Sequence, residues 1–138
     1  MTTKEKLLNT GLLILRVGIG ISIFFHGLPK IMGGVETWTA IGSSLSAFGI
    51  DFAPTFWGLL AALTESVGGI LFALGLLFRP ATVFLSGMMV IALGTHLMAG
   101  DGFMTYGHSL DLLIVFVASF FTGAGKLSLD HRFFKKIA

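Results

Sequence analysis

The stretch Arg16 to Lys30, RVGIGISIFFHGLPK, decides how the chain is read, because it strings an arginine, a histidine and a lysine along a segment otherwise apolar enough to face lipid. A cation at the bilayer centre costs roughly 2.5–3.5 kcal/mol on insertion scales, so ionisable residues there turn toward protein or water and mark candidate sites. The rest of the chain must supply something for Arg16, His26 and Lys30 to face.

Composition sets the class. Of the 138 residues 54% are hydrophobic and only 12% charged, whereas about a quarter of a soluble domain is charged. A crossing takes about 20 residues, so four spans fit. The expected fold is all-α, an integral membrane four-helix bundle forming one transmembrane domain over residues 1–138, with spans at about 7–31, 55–77, 81–98 and 108–122. The first apolar run follows Lys4, Glu5 and Lys6 and carries no small-residue cleavage site, so it reads as a retained helix rather than a signal peptide. Between spans one and two, Trp38, Ile41, Leu45 and Phe48 recur at helical spacing among threonines and serines. That segment is too short and polar to span, and residues 35–48 are expected to form an interfacial helix.

With no cysteine, disulfides, thiol catalysis and cysteine-held clusters are excluded. The basic residues sit in short loops and tails beside apolar runs, which is the distribution of topology signals and not of a nucleic-acid groove. Lys4, Lys6, Arg79, Lys126, Arg132, Lys135 and Lys136 gather at one set of span ends against Lys30 alone at the other. This asymmetry predicts both termini on the cytoplasmic side. The expected location is the cytoplasmic (inner) membrane of a bacterium or archaeon.

Helical periodicity then groups the polar residues. Arg16, Gly20, Ile23, Gly27 and Lys30 form one stripe of span one, and Gly58, Ala61, Glu65, Gly69 and Phe72 one stripe of span two. His108, Asp111, Val115, Ala118, Thr122 and Gly125 form a stripe of span four. The simplest pairing is Arg16 with Glu65, leaving Asp111 to orient His108, His26 or Lys30, and the site is expected between spans one, two and four. A buried Arg16–Glu65 pair is also compatible with a purely structural pin, and His96, near the headgroup level, with a hydrated surface histidine.

His26, His96, His108 and Asp111 offer a nitrogen and oxygen ligand set for a metal, but they come from three helices and lack close ligand spacing. Haem would need an axial histidine with ring-sized space around it, which the sequence neither requires nor forbids. A quinone fits the same residues with fewer demands. Its reduction takes up two electrons and two protons, and histidines and carboxylates supply donors to its carbonyl oxygens and a proton route. Phe24, Phe25, Phe72, Phe103 and Tyr106 are candidate apolar walls.

Three stretches resemble one family. LLILRVGIGISIFFHGLPKI, with Arg-x3-Gly and His-Gly-x-x-Lys, is similar to the first helix of the DoxX family. TESVGGILFALGLLFRPA, with a glutamate, a Gly-Gly and a Gly-Leu-x-x-Arg, resembles its second helix and turn, and GAGKLSLD its closing Gly-x-Gly-x-x-Ser-Leu-Asp. The resemblance implies a small four-helix membrane protein whose relatives have been tied to quinol oxidase, quinone-coupled thiosulfate oxidation and oxidative-stress complexes. It carries a hint of quinone or redox chemistry onto Arg16, His26, Lys30 and Glu65. Where many relatives have a glutamate in span four, this chain has Asp111, one methylene shorter.

The functional expectation is a membrane subunit that binds a quinone or similar apolar redox molecule through Arg16, His26, Lys30, Glu65, His96, His108 and Asp111. An electron-donating protein partner would supply the electrons, since no flavin, nicotinamide or cluster motif is visible, and homo-oligomerisation is left open. The alternatives are a solute or proton conduit lined by Arg16, Glu65 and Asp111, and a scaffold with a structural polar core.

Overall fold

The computed structural model describes residues 1–134. Lys135 and Lys136, which entered the charge count, lie outside the described residues. Among these, all regular structure is helical: α1 (Thr3–Met32), α2 (Gly34–Ser43) running into a 3-10 turn (Ser44–Phe48), α3 (Pro54–Leu74), α4 (Phe78–Met98), α5 (Phe103–Thr122) and the short α6 (Leu129–Phe133). Helices α1, α3, α4 and α5 are long and apolar enough to cross a membrane. The helices outrun some of the apolar runs: α1 begins before Leu7, under a capping box of Thr2 and Glu5, and α5 begins at Phe103. Intrahelical bonding costs nothing at a polar end that a cap or water satisfies.

Helix α3 is the centre of the arrangement, packed on α1, α2 and α4, and α5 packs on α4. The buried core joins Ile23 of α1, Phe72 of α3, Phe78, Leu85 and Met89 of α4, and Leu112 and Phe116 of α5. Phe72 lies stacked on Phe78 at 4.8 Å between ring centroids and edge-on to Phe116 at 5.2 Å, both favoured aromatic geometries.

Glycines set the register of α1 on α3. A Cβ on Gly20 would stand 2.6 Å from the Gly69 carbonyl oxygen, and one on Gly27 would meet the backbone of Glu65 and Ser66. Small residues let helices in lipid approach until backbones touch, where dispersion and weak polar contacts replace the absent hydrophobic drive. The same device holds α2 down on α3. A Cβ on Gly58 would overlap the carbonyl of Trp38, and one on Gly42 that of Pro54.

The tail is stitched to the helix ends that lie away from α2. Asn9, buried in α1, accepts from Lys126 N and donates to Glu5 O. Helix α4 is entered through Leu77 at its N-cap position, whose φ is 47° and whose side chain provides no cap. Asp130 of the tail replaces that cap: its Oδ1 accepts from Leu77 N and its Oδ2 from Phe78 N, each at 2.8 Å. A carboxylate at a helix N-terminus also complements the dipole. Asp130→Ala would leave two N–H groups near the core unsatisfied, one of them fully buried. The expected cost is about 3 kcal/mol, summed over the two lost acceptors. Thermal unfolding in detergent checks this, and an unchanged melting temperature would show that the tail does not cap α4.

Candidate functional site

The register just described decides which charges meet. Lys30 lies one turn beyond Gly27, so it reaches Glu65, and its Nζ donates to Glu65 Oε2 at 2.5 Å. Arg16 lies one turn before Gly20, level with the end of α3, where its Nη1 donates to Ala73 O at 2.9 Å and its Nη2 to Leu127 O. The expected Arg16–Glu65 pair is therefore not formed. The antiparallel offset of α1 and α3 carries Arg16 past Glu65 by about two turns of α3, to Ala73, and Lys30 takes its place.

The Glu65 side chain is 7% exposed and that of Lys30 34%. The lysine spends one N–H on Glu65 and keeps two further N–H donors for another acceptor. Trp38 of α2 donates from Nε1 to Lys30 O at 2.8 Å, tying α2 to the end of α1 beside the pair.

The pair forms part of the wall of a cavity of about 460 Å³ enclosed by α2 and its 3-10 turn, α3 and α4. Leu45, Leu60, Ala61, Phe84, Met88 and Ile91 make most of its surface apolar. Lys30, Thr64, Glu65, Thr95 and His96 bring polar atoms to it. Thr95 spends its hydroxyl on Ile91 O, and His96 Nδ1 is bonded to Asp101 Oδ2 at 2.7 Å, which leaves the other ring nitrogen of His96 without a hydrogen bond among the described residues. Trp57 lines the same cavity, and its indole Nε1 is buried with no hydrogen-bond partner among the described residues. An orphaned buried donor is rare and costs about 1–3 kcal/mol. A ligand oxygen in the cavity would relieve it. Val83 and Phe84 are exposed on the outer surface of α4, so the cavity reaches the face of an apolar helix.

The remaining expected site residues lie elsewhere. His26 and His108 are exposed and face one another across α1 and α5, with ring centroids 5.2 Å apart. Asp111 is exposed one turn along α5 and makes no ion pair among the described residues. The stripe expected to face inward on α5 is displaced by one residue: Ser109, Leu112, Phe116 and Ser119 are buried. Burial of Leu112 and Phe116 in the core outweighs the preference of His108 and Asp111, which reach the flank of the bundle. The expected metal set is divided accordingly. His96 turns to Asp101, apart from His26 and His108, and no three histidine or acidic residues come together among the described residues. Nor is a conduit formed by Arg16, Glu65 and Asp111, which point to the tail, to Lys30 and to the outer surface respectively. The cavity lies under α2 between spans two and three, not between spans one, two and four, and Trp57 and Phe84 stand in its wall where Phe24, Phe25, Phe72, Phe103 and Tyr106 were expected. Phe72 instead fills the core.

Trp57 and Thr64 were not among the expected residues. A signal for both was present, since Trp57, Ala61, Thr64 and Glu65 share one face of α3 by helical spacing. The sequence allows α2 to lie in the interface plane or to fold over the mouth of the bundle, and the structure seats it on that face of α3.

The DoxX family model matches residues 11–98. The chain is 32% identical to a protein of Haemophilus influenzae described as uncharacterized, across 99% of this chain and all of that one. It is 29% identical to a Bacillus subtilis protein named "Putative oxidoreductase CatD", across 95% of this chain and 92% of that one. No solved structure matches the chain.

Proposed function

The chain belongs to the DoxX family and is a multi-pass membrane protein, and from that premise we propose that it binds a quinone, or an apolar redox molecule with a similar carbonyl headgroup, in the cavity beside Lys30 and Glu65. The observation that carries this reading is the cavity's chemistry: a mostly apolar space of about 460 Å³ into which a few unspent donors and one paired carboxylate project. Ligand sites are of this size and composition, apolar with a small number of placed polar groups. The name of the Bacillus subtilis relative adds redox chemistry as a class.

In this reading Lys30 Nζ and Trp57 Nε1 donate to carbonyl oxygens of the headgroup, and the free ring nitrogen of His96, whose Nδ1 faces Asp101, accepts from a hydroxyl of the quinol. Bound there, a quinone would accept two electrons from a partner oxidoreductase together with two protons. Glu65 and His96 pass those protons to the headgroup, Glu65 within the membrane and His96 from the side of Asp101 near the end of α4. The exposed edge at Val83 and Phe84 lets a lipid-soluble molecule enter sideways from the bilayer. The excess of lysine and arginine at the opposite helix ends supports termini on the cytoplasmic side, which puts the cavity in the outward half and α2 in the outer interface.

Tryptophan fluorescence tests the reading. A short-chain benzoquinone added to the purified protein in detergent is expected to quench emission saturably, with the saturable part lost in Trp57→Phe while Trp38 remains. Quenching that is linear, or unchanged in Trp57→Phe, would mean partition into the micelle and no site.

A further inference from the structure

A second cavity, of about 640 Å³, opens at the other end of the molecule, where α1 and the end of α3 meet the tail. Arg16 lines it. This residue is only 3% exposed, its two Nη groups are spent on the carbonyls of Ala73 and Leu127, and its Nε is buried with no partner among the described residues. Among the described residues no carboxylate stands within ion-pair distance of it. Asp130 acts on it at longer range, and both Asp130 oxygens are already taken by the N–H groups of Leu77 and Phe78. Carbonyl dipoles satisfy hydrogen bonds but do not neutralise a guanidinium, and a buried charge without a counter-charge is costly.

Further cations stand around the same cavity. Lys126 and Arg132 line it beside His131, Lys126 sharing its charge with Glu5 at 2.9 Å. Leu13, Val17 and Leu74 make an apolar wall beside them. A soluble anion would use the cations and waste the apolar wall. A phosphate carried on acyl chains uses both, and basic pockets beside membrane helices are a known form of such recognition.

We propose that this groove is a binding site for the phosphodiester headgroup of an anionic phospholipid, the phosphate over Arg16 and Arg132 and the acyl chains along Leu13, Val17 and Leu74. The site is separate from the Lys30–Glu65 cavity and stands whether or not that cavity takes a quinone. It explains why an unpaired arginine is kept in the first span.

The experiment compares phosphatidylglycerol, phosphatidylcholine and inorganic phosphate on the purified full chain, by lipid retention in native mass spectrometry and by thermal shift. Phosphatidylglycerol is expected to be retained several-fold better than phosphatidylcholine and to raise the melting temperature. Arg132→Gln and Lys126→Gln, both at exposed positions, are expected to weaken that retention roughly fivefold each, without changing helicity in circular dichroism. Equal retention of the two lipids, or retention of phosphatidylglycerol unchanged in the double variant, would overturn the proposal. So would equal stabilisation by millimolar inorganic phosphate, which would make the site one for a soluble anion.

Discussion

Lys30→Met is expected to destabilise the protein by about 3 kcal/mol, the low end of what breaking a buried pair costs, and Glu65→Gln by only about 1 kcal/mol, the net worth of a typical hydrogen bond. The asymmetry follows from burial. Removing Lys30 strands the Glu65 carboxylate, 7% exposed, with no other cation in contact among the described residues, whereas removing the charge of Glu65 leaves an ammonium that is 34% exposed and can lift its head to water. Replacing both, in Lys30→Met with Glu65→Leu, is expected to restore most of the stability, because a well-packed apolar pair often equals a buried ion pair. Binding should behave otherwise: saturable quenching by the benzoquinone is expected to weaken at least tenfold in all three variants. Thermal melts and the fluorescence titration, read together, separate a pin from a site. A double variant that is stable and still binds would remove the pair from the proposed chemistry.

Gly58→Val is expected to abolish the folded state, and Gly58→Ala to cost about 3 kcal/mol, the upper range for overpacking. The side chain has nowhere to go, since the neighbour is the carbonyl of Trp38 and not the end of a flexible side chain. To admit even a methyl group, α2 must lift from α3. That motion would break the hydrogen bond from Trp38 Nε1 to Lys30 O and open the roof of the cavity. Chymotrypsin cleavage at Trp38 and Phe48 should then speed up relative to cleavage in the long helices. Gly11 and Gly18, where an added Cβ meets nothing within 4 Å, are the controls. Alanine at either should be neutral or stabilising by up to about 1 kcal/mol, through backbone entropy. A Gly58→Ala protein as stable as these controls would mean that α2 is not seated on α3.

Much of the architecture was legible in residues alone. Long apolar runs can only satisfy their backbones as helices in lipid, and the stripes on α1 and α3 are buried as their spacing predicts, with Arg16, Gly20, Ile23 and Gly27 on one and Gly58, Ala61, Glu65, Gly69 and Phe72 on the other. On α5 the stripe through the polar residues is not the buried one. The large apolar ones, Leu112 and Phe116, decide which face turns inward.

The sequence by itself determined the family, the four long helices and the charged residues that must find partners. Tertiary structure alone decided which partners they found. Periodicity tells which face of a helix is buried and says nothing of how far one helix is displaced along another. That displacement is chosen where backbones can touch, at Gly20, Gly27 and Gly69. It gives Glu65 to Lys30 and sends Arg16 to the tail, so that the stretch from Arg16 to Lys30 serves two cavities at opposite ends of the molecule.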